Sequence, residues 1–328
     1  MLKAFSIVFN EGLAESQSAL RPLFALLRLL AALRIVFFPG MITKYQNLKI
    51  FDKLYNSTRR WEPLYFAIHK FHVCRNFSFG ERLRCAINHH EYEAMTYKRA
   101  YFERIYPENG IPLWKNIVNG VQFRLVLTAM DDNRHEGELC VILLADNSRL
   151  YMMSFCYLDA NIFGLRSCYT MMITRNQTDL TAARDMFDRS FKQSAPHFFC
   201  LFAVCGIAMS DGFRNILAIR HDSQIAYNKK YESSFRNSYT ELWERFGGVD
   251  VDGRTYLLDV PLKLSPLPLV NPTHRRRARR RRRNWDEIAQ SACSALDSYR
   301  VAPAPVRTHR LNGKAERFFS LSPAPPTG

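Results

Sequence analysis

"VQFRLVLTAM" (residues 121–130) decides the fold class. Phe123, Leu125 and Leu127 fall on one side, and Gln122, Arg124 and Thr128 on the other. A period of two sends successive side chains to opposite faces, so the stretch predicts a half-buried strand. "DDNRHEG" (131–137) supplies a turn, and "ELCVILLA" (138–145) a second strand. "DNS" (146–148) is a tight turn into "RLYMMSFCYL" (149–158), and "LRSCYTMMIT" (165–174) follows. Such short links favour consecutive antiparallel strands.

Downstream the period changes. "TDLTAARDMFDRSFKQ" (178–193) predicts a helix with Thr178 or Asp179 as N-cap. Pro196 opens a very apolar helix that Gly212 closes. "NILAIRH" (215–221) reads as a short buried strand, 231–248 as a helix stopped at Gly247-Gly248, and 254–260 as a last strand. Residues 273–299 form one further helix, and 300–328 a Pro/Ala-rich disordered tail. Upstream, 16–38, 42–57, 61–72 and 80–104 read as helices, and 105–120, with "PENGIP", as a linker. The expectation is an α+β protein: a helical region 1–110, then a core 120–299 of antiparallel sheet with packed helices.

The 328 residues carry a net charge of +16, half of it from "RRRARRRRR" at 275–283. Such a balance implies anionic partners: acidic lipid, lipopolysaccharide phosphate, nucleic acid or phosphorylated metabolites. No helix-turn-helix, zinc finger or RNP-like motif reads bases, which disfavours nucleic acid and leaves a nucleic-acid-associated stress protein as a second alternative. The eight cysteines include no C-x-x-C and lie mostly in apolar runs, so they read as core thiols of a reducing compartment. The start lacks a signal-peptide pattern. The expected location is cytoplasmic, with peripheral contact to the inner membrane as an extension. The apolar run 21–40 contains Arg28 and Arg34, about 120° apart around a helix. It reads as a helix packed on its own domain, or one lying on a membrane surface, rather than a span.

"HEGELCVILLADNSRLYMMSF", "GFRNILAIRHDSQIA", "YTELWERFGG", "DGRTYLLDVPL" and "HRRRARRRRRNWDEI" together resemble the VirK/YbjX family of Gram-negative bacteria, over roughly residues 50–290. The resemblance implies a virulence- or stress-associated role at the cell envelope, in resistance to antimicrobial peptides or placement of outer-membrane proteins, with envelope proteins as partners. It implies no agreed chemistry. After the fourth strand the family usually carries a Leu-Gln-Gly-like element, whereas "MMITRNQTDL" has no glycine; the basic run is also nearly pure arginine here.

Several residues are candidates for chemistry. Glu136 and Glu138 share a face across a turn glycine and could converge for acid–base work. His221 ends the 215–221 strand, where α+β sheets place ligands. Arg220, Lys229, Lys230 and Arg236 add positive charge nearby, and Arg275, Arg276, Arg277, Arg279 and Arg280 offer a phosphate-binding stripe. Tyr239, Trp243, Glu244, Gly247 and Gly248 read as structural. His89 and His90 with Glu91 point about 100° apart on a helix and make a poor metal site, so no metal and no cofactor is expected. Under an alternative reading the cofactor is acetyl-CoA or another acyl-CoA. The order of strands, helix and strand resembles the core of GNAT-type N-acyltransferases, whose backbone N–H groups cradle the acetyl-CoA pyrophosphate after the fourth strand. "TRNQTDL" lacks the glycines of that loop.

Overall fold

The computed structural model describes residues 32–48, 71–106, 110–129, 136–178, 183–192, 194–269 and 271–302, with Leu26, Leu29 and Leu30. The expected helices at 16–38, 42–57 and 61–72 lie partly or wholly outside them, as does the tail beyond 302. Described there are a 3-10 turn (Arg34–Phe37) and α1 (Pro39–Gln46).

The strands expected around residues 121–174 form as read, in a consecutive antiparallel run: β2 (Val121–Ala129), β3 (Leu139–Ala145), β4 (Ser148–Asp159) and β5 (Tyr169–Thr178). One more strand precedes them. β1 (Ile111–Val118) occupies the expected linker and pairs with β2 at the sheet edge. Its Pro112 is tolerated because an edge strand has one side without ladder bonds.

β6 (Asn215–Ile219) adds beside β5 in parallel, the only parallel pair among the described strands. β8 (Thr255–Asp259) follows, and the two-residue β7 (Val249–Asp250), not foreseen in the sequence, closes the far edge. The order is therefore β1-β2-β3-β4-β5-β6-β8-β7. A parallel pair needs a crossover, and α4 (Ala183–Ser190) and α5 (Pro196–Ser210) provide it.

β4 is buried at every position from Leu150 to Leu158, so both of its faces are covered. α2 (Phe79–Thr96) and α5 each pack on it. α2 starts with a capping box: Ser78 Oγ accepts from Glu81 N, and the Glu81 carboxylate accepts from Ser78 N. The long helix read over 80–104 is broken, because Tyr97 and Lys98 are extended; α3 (Arg99–Ile105) restarts after them. α5 is apolar all round because α8 (Pro272–Asp297) covers the side turned from the sheet. Gly206 permits that contact, since a Cβ there would lie 2.2 Å from the Ala289 carbonyl oxygen. The helix read over 231–248 is two short ones, α6 (Glu232–Ser238) and α7 (Thr240–Arg245), divided where Tyr239 leaves helical backbone angles. One hydrophobic core runs from α2 through the sheet to α5 and α8.

Candidate functional site

β5 and β6 pair at Met172–Leu217 and Ile173–Ala218 and then separate. Opposite Ser154 and Phe155 of β4, the β5 partners are Arg175 and Ile173, so Thr174 is an extra residue, a β-bulge. A bulge re-aims the residues that follow, and here it lies where the two parallel strands diverge. Gly137 packs against it with φ +145°. A Cβ there would come 2.6 Å from Thr174 Oγ1, so only glycine fits between Glu136 and Glu138.

The turn thereby puts Glu136 into the gap. Its carboxylate pairs with Arg175 Nη1 of β5 at 2.7 Å and accepts from Gln224 Nε2, beyond β6, at 3.0 Å. Glu136 and Gln224 are both buried. Above them opens a cavity of about 550 Å³ lined by Tyr151, Arg184, His197, Ser234 and Tyr239 as well. That size suits a small-molecule site. Burial first, then the neighbouring Arg245 and Arg184, push the His197 imidazole down to about 4, so it is neutral at pH 7. Burial pushes the Tyr151 phenol well above its ordinary range, so it stays a proton donor.

The two nominated carboxylates thus take different surroundings. Glu136 faces the cavity, while Glu138 lies buried 3.8 Å from His72 Nε2. His221 is buried beneath the loop, its Nδ1 2.7 Å from Thr240 Oγ1, and does not line the cavity. Arg220 is paired with Asp222 and Asp250, Arg236 lies 3.8 Å from Glu241, and Lys229 and Lys230 are exposed on a 3-10 turn. None of these four is among the residues that line the cavity. Trp243 is fully buried and donates from Nε1 to the Ile219 carbonyl. Glu244 accepts from Tyr256, and Gly247 (φ +75°) and Gly248 turn the chain against Trp243. Tyr239 lines the cavity besides capping α6.

The arginine run forms the first turns of α8. Arg277 and Arg280 line a second cavity with Arg281 and Arg283, Arg275 donates to the Pro268 carbonyl, and Arg276 and Arg279 are exposed. His89 and His90 group with Glu93 rather than Glu91, the three offering ligand atoms within 4.8 Å of one another. Glu93 already accepts from Tyr101 and Tyr106, and His89 Nδ1 from the Tyr157 N–H. Burial opposes ionisation of Glu93, but His89 and His90 outweigh it and hold the carboxyl well below its usual range. Burial pushes the thiols of Cys74, Cys140 and Cys205 up to about 12, so none is a thiolate at neutral pH.

Residues 28–294 match the family described as protein of unknown function, DUF535. The chain belongs to the DUF535 family. The VirK/YbjX family is known under that designation. No curated protein and no solved structure matches the chain. The match spans the sheet, both cavities and the described helices up to the last turn of α8, so the DUF535 unit includes α2 and most of α8 as well as the strands.

Sequence reasoning missed Arg175, Arg184, His197 and Gln224. Arg175 and Gln224 carried a weak signal. Arg175 ends the apolar run "MMIT", and Gln224 follows His221 in a quoted motif, each polar at the mouth of a buried strand.

The neutral state of His197 has a measurable consequence. A lowered folded-state pKa leaves stability intact above pH 6.5 and removes it as pH falls towards about 4. The ring is part-exposed, so the expected loss between pH 7 and pH 5 is about 1–2 kcal/mol. Urea denaturation at both pH values checks this. His197→Gln should abolish that component, and an unchanged pH dependence in the variant would assign it elsewhere.

Proposed function

We propose that this DUF535 chain is an envelope-associated protein whose central cavity carries out GNAT-like transfer from an acyl-CoA. The divergent parallel pair, with its bulge at Thr174 and a cavity at its mouth, carries this reading. Such a gap admits the extended pantetheine arm of an acyl-CoA between two strands. Arg184, at the cavity wall, replaces the missing glycine loop as the cationic group for its diphosphate. Glu136, paired with Arg175, accepts the proton from the attacking acceptor, and Tyr151 donates one to the departing thiolate. The nucleophile bonds to the thioester carbonyl, the C–S bond breaks, and free CoA thiol leaves.

The family resemblance supports the envelope setting, in antimicrobial-peptide resistance or outer-membrane protein placement. Exposed Leu26, Leu29, Leu30, Leu33 and Phe37 support it too, recurring at helical spacing as an apolar face that a membrane surface would cover. No helix among the described residues is long and apolar enough to cross a membrane.

Release of free thiol from short- and long-chain acyl-CoA, with amine and hydroxyl acceptors, tests the chemistry. Glu136→Gln should still bind acyl-CoA but release thiol about 100-fold more slowly. Wild-type protein that neither binds nor cleaves any acyl-CoA would overturn the reading.

A further inference from the structure

The arginine run does more than decorate a solvated helix. Arg277, Arg280, Arg281 and Arg283 of α8 face Arg189 and Lys192 at the end of α4, across a cavity of about 610 Å³. Asn116, Val118 and Asn119, at the β1–β2 turn, close its third side. Among the described residues, no carboxylate lines it. Among the described residues, none forms an ion pair with Arg189, Lys192, Arg277, Arg280 or Arg283 either. Cations gathered in one concavity repel one another, and the enclosing walls focus their field. Such an arrangement is costly without an anion and becomes favourable with one.

The geometry points to a binding site for a ligand that carries several phosphate groups. Guanidinium groups take phosphate oxygens two at a time, and residues three or four apart on α8 present them in register along one face. The volume fits a small molecule or a single headgroup rather than a duplex. Among the described residues, the one aromatic lining it, Phe191, is buried among Phe123, Phe187 and Phe199, so none of them offers a ring to a nucleic-acid base. The phosphates come from a free oligophosphate or from a phosphomonoester lipid headgroup. This inference stands independently of acyl transfer, because it concerns a different cavity and different residues.

Titration calorimetry of the full chain with inorganic tripolyphosphate at 0.15 M salt tests it. Two variants remove equal charge from the same helix. Arg277→Gln/Arg280→Gln/Arg283→Gln empties the cavity wall, whereas Arg275→Gln/Arg276→Gln/Arg279→Gln leaves it intact. The first should weaken binding at least tenfold, and the second by about twofold or less. The first variant should also melt no lower than wild type in the absence of ligand, since it relieves repulsion, and should lose the rise in Tm that tripolyphosphate gives wild type. Competition by phosphatidic acid vesicles, but not phosphatidylglycerol vesicles, assigns the source to a lipid headgroup. Competition by neither assigns a free oligophosphate. Equal loss in both variants, absence of tripolyphosphate binding by wild type, or tighter binding of duplex DNA lost equally in both would overturn the site.

Discussion

Gly206→Ala is expected to destabilise the protein by about 3 kcal/mol, at the upper end of overpacking costs. The direction is not obvious from the substitution alone. Alanine in a helix interior is favoured over glycine by about 1 kcal/mol, so an exposed site would gain. Here the new Cβ meets the Ala289 carbonyl oxygen at 2.2 Å, and the Ala289 carbon and Ala292 Cβ at 2.9 Å. The first two are helix backbone and cannot rotate away, so α8 must move off α5. Ile288, Ala292 and Leu296, all fully buried, would loosen with it. Thermal and urea melts measure the loss. The double variant Gly206→Ala/Ala292→Gly should stay destabilised, because the obstacle is the carbonyl. Full rescue would show that side-chain crowding alone matters. The same shift would open the arginine cavity, whose main wall is α8.

Arg300→Met should cost about 3–5 kcal/mol, the range for breaking a buried ion pair from one side. Asp211 is fully buried at the end of α5. It accepts from Tyr97 at 2.7 Å and Tyr157 at 2.6 Å, and pairs with Arg300. Burial and this carboxylate hold both phenols well above their ordinary range, so they remain donors. Two hydroxyls offset only part of a desolvated charge. Adding Asp211→Asn should recover part of the loss, a coupling that a double-mutant cycle reads directly. Strict additivity would mean that the pair does not interact. The network also fastens the end of α8 to the α2–α3 junction, where Tyr97 bridges Arg300.

Much of this fold was legible because local pattern and tertiary role agree. The alternation in 121–127, the apolar helix after Pro196 and the arginine helix into Trp285 all form where the pattern puts them. β1 was not legible. Pro112 and Gly110 punctuate its start, and an edge strand needs no strong alternation. The break at Tyr97-Lys98 was hidden too, because the surrounding residues are good helix formers and the partner of Tyr97 at the break, Asp211, is distant in sequence. In the site, Gly137 with its two glutamates was visible as a motif. Glu136 gains its meaning from Gln224, 88 positions away, and from Arg175 across the bulge. Spacing along one chain does not display such pairings. The charge of the arginine run was plain, but its opposing wall, Arg189 and Lys192, lies some 90 residues earlier and enters only through the packing of α4.

The central claim is that the gap between β5 and β6 receives an acyl-CoA. Calorimetric titration of acetyl-CoA into wild type and a Ser234→Trp variant tests it most directly, because Ser234 is exposed at the cavity wall and a bulky ring there blocks entry. The account predicts a wild-type dissociation constant of about 10–100 μM. It predicts binding at least tenfold weaker in a Ser234→Trp protein whose Tm is unchanged. Equal affinity in the two proteins, or no heat of binding in either, would contradict it.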